Sequence, residues 1–276
     1  MSELISAEAL VEILDDPALR IADTRWYRGE PRRGHAAYHA GHIPGAVFVD
    51  LDLHLSARTG PGRHPMPDRE VFATTLGGRG FGDDHVIVAY DDREGAIAAR
   101  LWWMLRDIGH TSIRVLDGGL TAWTSAGLPA ETECPAPGPA PLTVRPGVTR
   151  SLDRDDLRAR LGRITLADAR APERYRGDEE PIDPIAGHIP TAINLPTSDH
   201  LTPDGRFRDP ADLRKHYEAA FDGDTIFYCG SGVTACHDIL AAVEAGAPEP
   251  ILYPGSWSDW SASGMPVATG PEPGAI

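Results

Sequence analysis

Apolar positions along the chain follow two patterns that alternate. Ser6 precedes a stripe of Leu10, Val11, Ile13 and Leu14 with helical spacing, and the serine is placed to cap that helix. Leu152, Leu157 and Leu161 repeat the stripe in the second half. Short unbroken apolar runs follow at Val86–Tyr90, Ile113–Leu116, Thr225–Tyr228 and 251–253. They are rich in β-branched and aromatic residues, as strands buried on both faces are. Helical segments are expected between them at 95–108 and 233–245. Helix and strand alternating in this way predict an α/β fold with parallel sheets flanked by helices.

The pattern also repeats. Ala22-Asp23-Thr24-Arg25 returns as Ala167-Asp168-Ala169-Arg170, and Ala40-Gly41-His42-Ile43-Pro44 as Ala186-Gly187-His188-Ile189-Pro190. Gly118, Trp123, Gly127 and Pro129 return in the same order as Gly255, Trp260, Gly264 and Pro266. A unit of this length, present twice, is a duplicated domain rather than a solenoid. Residues 131–145 (ETECPAPGPAPLTVR) are rich in proline and read as an extended linker. The expected division is a first domain over 1–130, the linker over 131–145 and a second domain over 146–276.

Composition adds exclusions. The 276 residues are 41% hydrophobic and 24% charged, with a formal net charge of -15. That charge argues against nucleic acid or an anionic membrane as partner. No run approaches the roughly 20 apolar residues of a membrane span. The acidic, amphipathic start has no basic or apolar leader pattern, which leads to the expectation of a cytoplasmic protein. Three cysteines, Cys134, Cys229 and Cys236, offer no disulfide framework and no CxxC pair. His35, His39 and His42 have metal-like spacing, but the second half has no counterpart to the first two, so no metal is assigned. Trp102, Trp103, Trp123, Trp257 and Trp260 are read as core residues.

The chemistry centres on Cys229. It ends a predicted buried strand and is followed by Gly230-Ser231-Gly232 and then a helix. Ligands in open α/β sheets bind beyond the carboxyl ends of strands. A glycine-rich turn directs backbone N–H groups inward, and the helix adds its positive end, so an anion is favoured there and the thiol is acidified. Cysteine phosphatases need an arginine six positions after the nucleophile. Here that position is Ala235, and no arginine occurs from 230 to 245, which argues against phosphoryl transfer. The first-half counterpart of Cys229 is Asp91. Repetition of Asp168 and Arg170 as Asp23 and Arg25, and of His188 as His42, favours structural roles for these residues.

CGSGVTAC at 229–236, AGHIPGA at 40–46, AGHIP at 186–190, LDGGLTAW at 116–123 and YPGSWSDW at 253–260 resemble the tandem-domain rhodanese sulfurtransferases. The resemblance implies two rhodanese-like domains, the second catalytic and the first not. It further implies that Cys229 carries sulfur as a persulfide and that no metal or organic cofactor takes part. The amides of Gly230, Gly232, Val233 and Thr234 then hold the anionic sulfur, Ser231 serves catalysis, and Arg174 binds a small anionic sulfur donor. The acceptor is a thiol, cyanide or a thioredoxin-like protein. The CGSGV loop is similar to that of 3-mercaptopyruvate sulfurtransferases, whereas thiosulfate-preferring members carry a cationic side chain where Gly230 and Ser231 stand. Two departures stand out. The family's second donor-binding arginine falls at Asp183, with Arg176 nearby as a possible substitute. A Ser-His-Asp relay would use Ser231 and His42, yet no aspartate precedes His42 within the expected distance. Rival readings are a thiosulfate:cyanide sulfurtransferase and a non-catalytic sulfur carrier or binding module.

Overall fold

The computed structural model describes residues 2–221 and 223–276. They form two compact units. The first comprises the chain through Ala57, Pro67–Val148 and Pro203–Phe207. The second comprises Arg58–Met66, Thr149–Thr202 and Arg208–Ile276. The units are therefore not continuous in sequence. Arg58–Met66 lies in the first half of the chain and belongs to the second unit.

Each unit holds a five-stranded sheet in which every pairing is parallel. In the first, β1 (Leu4–Ile5), β2 (Leu19–Asp23), β3 (Ala46–Phe48), β4 (Val86–Tyr90) and β5 (Ile113–Leu116) stand in the order β1-β5-β4-β2-β3. In the second, β6 (Arg150–Ser151), β7 (Thr165–Asp168), β8 (Ile193–Asn194), β9 (Thr225–Tyr228) and β10 (Ile251–Leu252) stand in the order β6-β10-β9-β7-β8. The two orders correspond strand for strand, as duplication requires.

The predicted elements appear with small shifts that have local causes. Ser6 accepts from the Ala9 N–H at 3.2 Å and caps a helix over Ala7–Val11. That helix ends at Val11, and the chain goes on in turns to Asp16, which accepts from the Ala18 N–H across Pro17. Ile13 and Leu14 still pack on the core from turn conformation. The helix expected from residue 95 begins at Ala98, because the Asp91 carboxylate takes the amides of Gly95, Ile97 and Ala98.

Trp102, Trp103, Trp123, Trp257 and Trp260 are buried, whereas the sixth tryptophan, Trp26, is half-buried. Two are bound alike: the indole N–H of Trp123 donates to Pro129, and that of Trp260 to Pro266. The proline-rich stretch has almost no regular structure, yet it is tied along the first unit. Glu131 pairs with His42 in both directions, Ala140 N–H donates to Gly77, and Arg145 N–H to Ile108.

Asp23 with Arg25, and Asp168 with Arg170, form buried ion pairs of the same design. In each, the guanidinium reaches the carboxylate at 2.6 Å and also donates to a glycine carbonyl, Gly41 or Gly187. Their burial and repetition make them structural. His42 and His188 are matched as closely. Each places Nδ1 2.8 Å from the carbonyl of a tyrosine, Tyr38 or Tyr175, and each stacks on that ring. His42 is thus occupied by the fold of the first unit.

Candidate active site

The central strand β9 delivers Cys229 to its carboxyl end, where the chain turns through Gly230–Gly232 into a helix over Thr234–Glu244. Gly232 has φ +73°, and a Cβ there would lie 2.3 Å from the Pro254 carbonyl oxygen, so only glycine fits. Ser256 holds the other side of the turn. Its hydroxyl accepts from the Cys229 N–H at 3.1 Å and donates to the Tyr253 carbonyl at 2.9 Å. Ser256 adopts φ +53°, an uncommon conformation for a residue with a side chain. The equivalent residue in the first unit is Gly119, with φ +56°.

Cys229 is almost wholly buried. Burial by itself pushes its thiol up. The Thr234 hydroxyl and the N–H groups of Ser231, Ala235 and Gly232 more than offset this, and the thiol ends below its ordinary value. The first unit shows the same turn occupied by a different anion. There the Asp91 carboxylate accepts from the N–H groups of Arg93, Gly95, Ile97 and Ala98 at 2.7–3.0 Å. Cys236, one helical turn beyond the cradle, is buried with its sulfur near the Gly232 carbonyl.

Of the residues singled out by sequence, Cys229, Ser231, Gly230, Gly232, Val233 and Thr234 form one loop, and Arg174 joins them. A Cβ on Gly230 would sit 3.5 Å from Arg174 Nη1. Arg174 is held by Glu180, with Nη2 at 2.7 and 2.9 Å from the two carboxylate oxygens. Arg176 takes another direction and pairs with exposed Asp178. It does not supply a second arginine.

Two further residues of the site, both in the Arg58–Met66 segment, are not apparent from the sequence pattern. Nδ1 of His64 lies 2.8 Å from Ser231 Oγ, with both side chains buried. The histidine beside Ser231 is therefore His64, and the expectation for His42 is corrected: His42 is committed to Tyr38 within the first unit. Arg63 places Nη2 3.0 Å from the Gly230 Cβ position and forms an ion pair with Asp183. Its backbone N–H donates to Ser258 Oγ at 3.0 Å, and Ser258 N–H donates to the Gly230 carbonyl at 3.0 Å. The signal for both residues is confined to the motif Gly62-Arg63-His64-Pro65, which has no periodic pattern and no repeat partner.

The description "Rhodanese-like domain" matches residues 6–126 and again residues 153–263. The chain belongs to the rhodanese family. Among relatives of this rhodanese, a Pseudomonas aeruginosa protein named "Probable 3-mercaptopyruvate sulfurtransferase" is 43% identical, over 98% of this chain and 99% of its own length. A Mus musculus thiosulfate sulfurtransferase is 33% identical over 93% of this chain and 91% of its own. The crystal structure of SseA from Escherichia coli, described among 3-mercaptopyruvate sulfotransferases, matches with TM-score 0.83 at 31% identity, covering 94% of this chain and 100% of that one. The rhodanese is a sulfurtransferase and so works between a sulfur donor and an acceptor. Among the described residues, no helix is long and apolar enough to cross a membrane.

Proposed function

We propose that this sulfurtransferase takes sulfane sulfur from 3-mercaptopyruvate onto Cys229 and passes it to a thiol acceptor. The Cys229 thiolate attacks the donor sulfur. The carbon–sulfur bond breaks, Cys229 becomes a persulfide, and the electron pair leaves on carbon as the enolate of pyruvate. That enolate takes a proton to become pyruvate. An acceptor thiolate then attacks the outer sulfur and the Cys229 thiolate departs. The Thr234 hydroxyl and the amides of Ser231, Gly232 and Ala235, rather than those of Gly230, Val233 and Thr234, hold negative charge on sulfur, and Arg174 binds the donor's carboxylate.

The observation that carries the choice of donor is the Ser231–His64 pair at 2.8 Å. Mercaptopyruvate leaves a carbanion equivalent that must be protonated, and a serine hydroxyl backed by an imidazole can supply that proton. Thiosulfate leaves sulfite, a stable anion with no such need. Gly230 and Ser231 also bring no cation of their own to the loop, which suits a singly charged donor better than a dianion. Three free cysteines suit the reducing setting of a cytoplasm, where thiol acceptors are abundant.

Steady-state kinetics with both donors test this. Mercaptopyruvate should be the better donor by kcat/KM. Ser231→Ala should lower its kcat about 100-fold or more, while thiosulfate turnover changes by only a few-fold. Intact mass should rise by about 32 Da with donor and should not rise in Cys229→Ser. A higher kcat/KM for thiosulfate, or equal losses with both donors in Ser231→Ala, overturns the assignment.

A further inference from the structure

The side chains around Gly230 hold a second cation that the sequence pattern does not announce. Arg63 and Arg174 come from segments far apart in the chain, and both guanidinium groups converge on the space where a side chain at residue 230 would be. Glycine leaves that space to them. Asp183 lies between the two, with Oδ1 on Arg63 and Oδ2 3.4 Å from Arg174 Nη2. Asp183 is nearly buried, at 6% exposure, whereas Arg63 keeps 28%. Nε of Arg63 is buried and finds no hydrogen-bond partner among the described residues. A buried guanidinium N–H without an acceptor is costly, and a planar fork with one edge unsatisfied fits an incoming carboxylate.

We infer that Arg63 is the second anchoring cation for the donor's carboxylate, and that Asp183 is an internal carboxylate that competes with the donor for the two arginines and so disfavours dianionic donors. This rests on the sulfur-transfer reading above and adds the residues that set its donor preference. The charge count explains the selectivity. Arg63, Arg174 and Arg170 face Asp183, Glu180 and Asp168, three cations against three anions, so the cluster is neutral before the donor arrives. A monoanion can share the arginines with Asp183. A dianion adds a further charge beside two carboxylates already held in place, and like charges at this range repel strongly when partly desolvated.

An ion pair that serves only the fold loses when either partner is removed. Competition predicts opposite signs instead. Arg63→Ala and Arg63→Gln should raise KM for mercaptopyruvate by about 10- to 100-fold, the loss expected for a charged hydrogen-bonded contact. Asp183→Asn should lower KM for both anionic donors and shift the kcat/KM ratio toward thiosulfate by about fivefold or more. Calorimetric binding of pyruvate to the Cys229→Ser protein gives the same comparison without turnover. Pyruvate should bind more weakly with Arg63→Gln added and more tightly with Asp183→Asn added.

Both substitutions weakening pyruvate, or Arg63→Gln leaving its affinity within twofold, overturns the inference. Should the Arg63 variants fail to fold, the Asp183→Asn result decides alone, since losing a carboxylate that only holds the two arginines in place should weaken pyruvate rather than tighten it. Failure of wild-type Cys229 to gain sulfur from either donor would overturn the functional reading, an outcome separate from any result with pyruvate.

Discussion

A thiol buried as deeply as Cys229 becomes a useful nucleophile only when its surroundings repay the lost hydration of its charge. Backbone amides of Ser231, Gly232 and Ala235 do part of this here, and they cannot be deleted singly. The Thr234 hydroxyl can, and it leads the groups that lower the Cys229 thiol. The direction follows from the ionisation. A lowered value means that the thiolate persists to lower pH than an ordinary cysteine allows. Removing a stabiliser of the charged form moves the transition back up. Thr234→Val should therefore raise the pH midpoint of Cys229 alkylation by iodoacetamide by about one to two pH units, the equivalent of one charge-assisted hydrogen bond. Site-resolved mass spectrometry makes the measurement, because exposed Cys134 also reacts. A midpoint that stays put or falls would assign the acidity to the amides alone. The candidate nucleophile and its glycines were legible in the sequence because one short loop carries the entire cradle. Arg63 and His64 were not, because Ser231 and His64 are 167 residues apart and the contact exists only after folding.

The repeated element is a strand, a tight turn and a helix, and the two copies differ in what fills the turn. Central strands β4 and β9 were legible as apolar runs because both faces are buried, which enforces continuous hydrophobicity. Edge strands β1, β6 and β8 are two residues long, too short for any period to register. The matching order of the two sheets follows from the duplicated motifs. The transfer of Arg58–Met66 to the second unit does not, since no composition change marks it. In the first copy, Asp91 fills the cradle with its own carboxylate. It behaves as a structural plug: two oxygens serve four amides, of which those of Gly95, Ile97 and Ala98 are buried and that of Arg93 is partly so. Asp91→Asn replaces one acceptor oxygen with an NH2 group that faces N–H donors. Each amide left unpaired should cost about 1–3 kcal/mol, measured by urea unfolding. Because the chemistry belongs to Cys229, kcat per folded molecule should stay within twofold of wild type. A variant of unchanged stability would show that the cradle is satisfied without its plug, and a lost kcat would give the first unit a part in turnover.

For the whole molecule, the governing quantity is the net charge of -15 against a substrate that is an anion. A protein that must admit an anion commonly spreads positive charge around the entrance. Beside Gly230 this rhodanese sets Arg63 and Arg174 and balances them with Asp183 and Glu180, the latter shared with Arg170. A neutral cluster has almost no field beyond its immediate surroundings, so at a distance the donor meets only the excess of carboxylates. Salt should therefore act in the direction opposite to that of an electrostatically steered enzyme. At about 0.01 M ionic strength the screening length is about 30 Å, and the repulsion reaches the approaching donor; at about 0.15 M it is about 8 Å, and most of it is gone. The ion pairs at Gly230 are partly buried and are screened much less. Raising ionic strength with an inert salt should thus increase kcat/KM for mercaptopyruvate, and more steeply for thiosulfate, whose charge is twice as large. The slope should grow again in a variant with extra surface carboxylates far from Cys229 and shrink when surface glutamates are changed to glutamine. A kcat/KM that falls as salt rises would mean that attraction at the arginines outweighs the molecular charge, and the donor's approach would then be steered rather than opposed.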